Sequence, residues 1–307
     1  MKTTNNLTIA GGTGFLGQVL IDQFRTSFDT IFVLTRTFRP NHDNVNYILW
    51  DGLTLGDWQA VIDKSNVLIN LSGKSVDCRY TQKNKIAILA SRVDTTRVLG
   101  KAILLSPTPP SLWINSSTAT IYKDEKQKPM DEYTGEIGNN FSENVAQNWE
   151  RAFFDCYKRD VRQVALRTAI VLGKKGGALV PLKNLVKAGF GGKQGEGDQK
   201  VSWIHAQDFA RIVQFIIENN DLEGVINLVA PSPVTNKKFM QTIRKTLNIS
   251  FGLPLPAPPL KIGARLIKTE TELILKSRNV VPNRLLQQDF RFMFPKVELA
   301  LKDLLKS

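Results

Sequence analysis

The chain has 307 residues, 42% of them apolar, which is enough to build a core in one large domain, or in a large domain with a smaller appendage, and excludes a disordered chain. No apolar run reaches membrane-span length and the opening MKTTNNLTIA lacks a basic-then-apolar leader, so a cytoplasmic chain with no membrane partner is expected. The formal net charge is +13, but 14 Lys or Arg against 5 Asp or Glu after residue 236 sit at helical intervals without interleaved aromatics, which argues against nucleic acid.

Short apolar runs alternate with amphipathic stretches, the rhythm of a parallel sheet flanked by helices. LTIAG (7–11) reads as the first strand and Phe15 to Phe24 as the helix after it. TIFVLTR (30–36), VNYILWD (45–51) and NVLINLSG (66–73) follow as strands, the last a near-continuous apolar run of the buried kind. Thr81 can cap a long helix through KNKIAILASRVDTTRVLGKAIL, which Pro109 and Pro110 separate from a fifth strand, SLWINSS (111–117). A helix is expected over 143–159, a sixth strand within 161–173 and another in GVINLVAP (224–231). Between Gly189 and Gly197 five of nine residues are glycine, which suits either a mobile loop beside a ligand or a plain long turn. Beyond Pro231 come a short helix (NKKFMQTIRKTL), LPLPAPP, which can be neither helix nor central strand, and further helical segments broken around VVPNR. The division expected is a doubly wound α/β domain of Rossmann type (1–173 and 198–231) and a smaller, mainly helical substrate domain (174–197 and 232–307).

Gly11, Gly14 and Gly17 end the first strand and open the first helix, the context that gives such spacing a mechanical meaning. The first glycine permits a tight turn, the second lets a phosphate approach the backbone, and the third lets helix pack on strand. The helix N-terminus then offers unpaired N–H groups to a pyrophosphate, with Thr13, Phe15 and Leu16 completing the cofactor-binding turn. A free ribose 2′-hydroxyl meets an acid about 20 residues on. Here that place holds Arg36, nineteen residues after Gly17, with Arg39 beyond it, so NADP is favoured over NAD. Cys78, Cys156, His42 and His205 are too few and scattered for a disulfide framework or a metal site.

Together with NSSTATIY (115–122), LRTAIVLG (166–173) and SWIHAQDFA (202–210), these stretches resemble the extended short-chain dehydrogenase/reductase superfamily of nucleotide-sugar epimerases and dehydratases. NLSGK, CRYT, SRVDTT, GGAL, SWIH, NLVAPSPVTN and VVPNRLL resemble more closely a subfamily labelled "epimerase family protein" or "cell division inhibitor", over nearly the whole chain. The resemblance implies a Rossmann domain with a small C-terminal domain. It places Leu71, Ser72, Gly73, Ser116 and Arg167 at the cofactor, Trp203, His205 and Arg79 at the substrate, and pairs two copies through the long helices. Arg79, Lys85 and Arg92 can serve an anionic substrate or simply form a solvated basic face; His205 can reach a substrate or brace its loop.

The superfamily's engine is a Tyr-x-x-x-Lys pair, the lysine one helical turn above the phenol and lowering its pKa. Aligned on Glu150, those positions hold Ser142 and Ala146, which cannot do that work. Thr118, with Ser117 beside it, takes the place of the helper hydroxyl, or else caps the strand end. Glu143 is either a base or an exposed helix-start carboxylate, and Asp208 is expected to cap a helix. The sequence therefore carries two readings: an NADP-dependent, epimerase-like oxidoreductase on a small hydroxyl or carbonyl substrate, or a non-catalytic NADP sensor linked by its label to cell division.

Overall fold

Apolar runs buried on both faces, each returned by a crossover, can pair only in parallel, and that is what the first 230 residues do. The computed structural model describes residues 4–258, 270 and 272–306. Its strands in chain order are β1 (Asn6–Ala10), β2 (Thr30–Thr35), β3 (Val45–Leu49), β4 (Val67–Asn70), β5 (Leu112–Thr118), β6 (Arg162–Thr168), β7 (Ile170–Leu172), β8 (Lys200–Val201), β9 (Trp203–His205), β10 (Gly224–Leu228) and β11 (Val234–Thr235). Seven of them form one parallel sheet in the order β10-β6-β5-β4-β1-β2-β3. The order reverses between β1 and β4, and the crevice outside their C-terminal ends is where a doubly wound sheet takes its ligand.

The helices are α1 (Phe15–Phe24), α2 (Ala60–Lys64), α3 (Gln82–Leu105), α4 (Phe141–Phe154), α5 (Leu179–Lys187), α6 (Ala206–Glu218), α7 (Asn236–Thr246), α8 (Glu272–Leu275), α9 (Asn283–Gln287) and α10 (Val297–Lys306). On one face of the sheet α1 and α6 bury Leu20, Phe24, Phe209 and Ile216 against Ile9, Val33 and Ile114. On the other, α3 and α4 bury Leu99, Ile103 and Phe153 against Leu34, Leu68 and Trp113. A separate core joins α5, α7 and α10 through Leu179, Phe239, Ile243 and Leu301. Thr81 caps α3 as expected, its hydroxyl accepting from the Asn84 amide.

Three elements depart from expectation for identifiable reasons. α4 stops at Phe154 rather than 159, and the chain turns so that the Lys158 ammonium donates to the carbonyls of Ile103, Leu104 and Ser106 at the end of α3. The apolar run 161–173 is two strands: Ala169 makes the last bond to the sheet, to Leu228, and β7 then leaves to pair with β9. The glycine-rich stretch is laced to LPLPAPP, with Leu253 and Leu255 donating to Gly189 and Lys193 while Gly192 and Gly195 donate back. Pro254 and Pro256, which have no N–H, fall on the alternate positions, so a run that cannot join a central strand still forms this ladder. Helical structure expected over 259–269 lies outside the described residues.

The first turn sets the strictest local demand. A Cβ at Gly17 would meet the Gly12 carbonyl oxygen, Cα and carbon at 2.2, 2.3 and 2.4 Å, whereas one at Gly14 would meet nothing nearer than the Gly11 oxygen at 3.9 Å. Gly17→Ala is therefore expected to lower stability in urea by about 3 kcal/mol and Gly14→Ala by less than about 1 kcal/mol. Equal losses would show that the close approach does not constrain the turn.

Candidate active site

At the β1 exit Gly11 turns the chain with φ +74°, a conformation costly for any residue with a side chain. Gly14 is extended, and α1 starts after it with no side-chain cap and no acid in its first turn. The first helical bond from this end is Gln18 N–H to the Gly14 carbonyl, which leaves the amides of Phe15, Leu16 and Gly17 without intrahelical acceptors. Thr13 is half-buried and Gly14 exposed, so this end of the helix opens outward. The Phe15 ring turns away and packs where Cβ atoms on Gly173 and Gly176 would stand.

Across the switch point, Leu71 N–H donates to the Ala10 carbonyl, and a Cβ at Gly11 would meet the Leu71 and Ser72 backbone at 3.0 Å. The Ser72 hydroxyl is buried here without a hydrogen-bond partner among the described residues, and Gly73 beyond it is exposed. Arg36 and Arg39 follow β2, the neighbour of β1, and both are exposed. The structure thus brings Gly11, Thr13, Gly14, Leu71, Ser72 and Gly73 to one place. A Cβ-free approach to bare amides and an unpartnered buried hydroxyl fit a phosphate-bearing dinucleotide.

Beneath this crevice lies a satisfied polar floor. Asn70 donates to Thr96 and to Asn115, the Trp149 indole donates to Thr96, and Asn115 donates to the Ser116 carbonyl, tying β4, β5, α3 and α4 together. Ser116 is buried on β5. Its neighbour Ser117, paired in register with Arg167, faces α4 and donates to Glu150 Oε1 at 2.6 Å. Arg167 grips both Glu150 oxygens at 2.9 and 2.8 Å and donates to the Tyr122 hydroxyl at 2.9 Å, stacked over the same ring. Burial opposes the Arg167 charge, but the Glu150 hydrogen bonds and charge outweigh it, and the guanidinium stays more basic than usual. Ser117 and Arg167, read from sequence as a catalytic and a cofactor contact, are here committed to a buried ion pair. Thr118 accepts from the Thr120 amide at 3.2 Å and so caps the turn after β5, keeping its own proton to give.

Two of the three expected substrate residues belong to the scaffold. Trp203 is fully buried and donates to the Ser232 carbonyl. His205 is the N-cap of α6: Nδ1 accepts from the Gln207 amide, Nε2 lies 3.2 Å from Asp303, and the ring stacks on Phe294 at 3.8 Å. Burial pushes its pKa down against the pull of Asp303, so it stays neutral at neutral pH. Asp208, expected to cap α6, instead sits in its first turn and accepts from Met293 and Phe294 amides and Arg211. Arg79 pairs with Glu270 at 3.1 Å, and the same carboxylate accepts from the Tyr80 amide at 2.7 Å.

Around the start of α4, Ala146 is fully buried and Glu143, expected exposed or free to act as base, is buried and paired with Lys276. Arg278 is buried beside them and donates to the Thr120 hydroxyl at 3.0 Å. Tyr80 stands edge-on to Phe141 with ring centroids 5.0 Å apart and its hydroxyl beside that of Ser142. Sequence inspection missed this group because its members are far apart in the chain; the one available signal was LKSR, three polar residues after an apolar start. A concavity of about 940 Å³ lies at the opposite, N-terminal ends of the strands, lined by Asn5, Asn66, Ser111, Arg159, Arg162 and Gly224. It holds neither the glycine turn nor a bare helix start. No cluster of potential metal ligands occurs among the described residues.

Residues 7–228 match the family model described as "NAD dependent epimerase/dehydratase family", and 255–304 match a domain of unknown function, DUF1731. The chain is 31% identical to the epimerase family protein YfhF of Bacillus subtilis, over 98% of each chain. It is 32% identical to the mouse epimerase family protein SDR39U1, over 96% of this chain and 98% of the relative. The crystal structure of human SDR39U1 (isoform 2) with NADPH superposes with a TM-score of 0.86 at 28% identity, covering 98% of this chain and 99% of that one. A UDP-N-acetylglucosamine 4-epimerase from Bacillus cereus shares the fold at a TM-score of 0.76 and 17% identity.

Leaving a buried guanidinium without its carboxylate is expensive. Glu150→Gln is expected to cost about 3–5 kcal/mol in urea unfolding, while the remaining folded protein keeps its dinucleotide affinity. A loss of affinity with stability unchanged would instead put Arg167 at the cofactor.

Proposed function

This chain belongs to the NAD dependent epimerase/dehydratase family, and from that premise we propose that it is an NADP-dependent oxidoreductase acting on a small hydroxyl or carbonyl compound. The observation that carries this reading is the switch-point crevice, where the open Gly14 face, the bare amides of α1 and the unpartnered Ser72 hydroxyl converge. The α1 amides hold the pyrophosphate, and Arg36 and Arg39 hold the 2′-phosphate bidentately. That the human relative was solved with NADPH supports this choice over NAD. When bound, the dinucleotide supplies or accepts hydride. Thr118 and Arg278 near the start of α4 then orient the substrate oxygen, and an anionic compound would be drawn to the guanidinium.

A second reading, a sensor that binds NADP without turnover, is favoured by Ser142 and Ala146 standing where the family's resemblance places its tyrosine and lysine. Turnover separates the two: NADPH oxidation followed at 340 nm against a panel of small aldehydes, ketones and keto acids proceeds for the enzyme and not for the sensor. The same family reading has two copies pair through α3 and α4 in the cytoplasm; no described helix is long and apolar enough to cross a membrane.

A guanidinium holding a phosphate contributes about 1.5–3 kcal/mol. Arg36→Ala is therefore expected to weaken NADP by at least about tenfold in calorimetry and NAD by less than about twofold. A loss for NADP smaller than about threefold would remove Arg36 from the 2′-phosphate site.

A further inference from the structure

Two tyrosines, Tyr122 shortly after β5 and Tyr80 packed on Phe141 at the start of α4, have hydroxyls that are treated differently. Tyr122 is fully buried, donates to Asn227 at 3.0 Å and accepts from Arg167 at 2.9 Å, so its hydroxyl is spent on structure. Tyr80 is half-buried and its hydroxyl lies beside that of Ser142. Its backbone is nevertheless fixed, because the Tyr80 amide donates to Glu270 and the ring packs edge-on to Phe141. A held phenol with a loosely engaged hydroxyl is what a proton donor requires.

The surrounding charges complete the arrangement. Arg92 leans on Gly73, where a Cβ would meet its guanidinium carbon at 3.2 Å, donates to the Lys74 carbonyl and stacks over Trp149. It therefore links the switch-point turn to the space around Tyr80, whose charge it senses; burial pushes Arg92 itself down to about 10. Arg278 faces Tyr80 from the C-terminal segment while bonded to Thr120, two residues past Thr118. Glu143, the carboxylate next to Ser142, is neutralised by Lys276.

We propose that Tyr80 is the proton donor and acceptor of this site, its phenol seated against Ser142 at the start of α4, with Arg278 and Arg92 steadying the phenolate in place of a helix-borne lysine. The assignment rests on the oxidoreductase reading above. In the reducing direction the Tyr80 O–H bond breaks and its proton goes to the substrate carbonyl oxygen as the carbonyl carbon gains hydride from the reduced nicotinamide. The phenolate then regains a proton from solvent. In the oxidising direction the phenolate takes the hydroxyl proton of the substrate as its carbon gives hydride to the oxidised dinucleotide. Burial holds the free phenol above its ordinary range; Ser142 and Arg278 pull it down, and Glu272 and Cys78 push it up. Tyr80 is thus a neutral acid in the free protein even with Arg278 and Arg92 nearby, and the further positive charge of an oxidised nicotinamide ring would favour its phenolate.

That condition supplies a test without a substrate. NADP⁺ carries a positive nicotinamide ring and NADPH does not, so a nearby phenol that ionises on binding makes NADP⁺ affinity rise with pH. Calorimetric titrations of NADP⁺ and NADPH between pH 6 and 9 are compared for the wild type and Tyr80→Phe, which keeps the ring against Phe141 and removes only the hydroxyl. The expected result is a rise of at least about threefold in NADP⁺ affinity for the wild type relative to Tyr80→Phe, absent with NADPH, with both proteins melting at closely similar temperatures. Parallel pH profiles for the two proteins with NADP⁺ would overturn the assignment while leaving the cofactor reading intact. Absence of binding by the wild type at every pH would instead overturn the cofactor reading and the assignment with it.

Discussion

The site exists because the backbone of the first turn comes so close to itself. The Gly12 carbonyl occupies the space where any larger residue at position 17 would put its side chain, so α1 begins directly against the end of β1. That contact starts the helix, with its unbonded amides, beside the switch point, where Gly11 also meets the Leu71 and Ser72 backbone. Lengthening the turn or tilting the helix would fill the turn but point the amides elsewhere. The crevice is thus a consequence of packing, and the amides and the Ser72 hydroxyl left unpaired there are the groups a phosphate would engage.

Around that fixed point the protein separates rigid polar structure from reactive polar structure. Asn70, Thr96, Asn115 and Trp149 satisfy one another, as do Ser117, Glu150, Arg167 and Tyr122. Buried networks of this kind keep the ends of β4, β5 and β6 in place under whatever binds above them. The groups near the start of α4 are less completely matched. Among the described residues one Glu143 oxygen is buried without a hydrogen bond, and the Tyr80 hydroxyl lies beside that of Ser142. Partial satisfaction at a crevice, above a fully satisfied floor, is the pattern of a site that awaits a partner.

Much of the sheet was legible because strand signals are local. LTIAG, TIFVLT and NVLIN need only their own residues to announce buried parallel strands, and the glycine spacing announces its turn. Element ends were read less well, since they are set by distant partners: α4 ends early so that Lys158 can reach the last carbonyls of α3. Within the site the same division holds. Gly11 meets the Leu71 and Ser72 backbone because both stretches follow the ends of adjacent strands, β1 and β4. Trp203, His205, Ser117 and Arg167 read as functional from their motifs, yet their side chains face the core or an internal carboxylate. The Tyr80–Ser142–Arg278 group left only the faint signal of LKSR, because its members are brought together only when the C-terminal segment folds back over α4.

The direct measurement is a backbone amide map. If the start of α1 holds the pyrophosphate, then in ¹⁵N–¹H spectra of the folded protein titrated with NADP the amides of Gly14, Phe15, Leu16 and Gly17 and that of Ser72 should show the largest shifts. Shifts concentrated instead at Asn66, Ser111, Arg162 and Gly224, around the concavity at the N-terminal ends of the strands, or none at saturating NADP, would contradict a phosphate cradle at the start of α1.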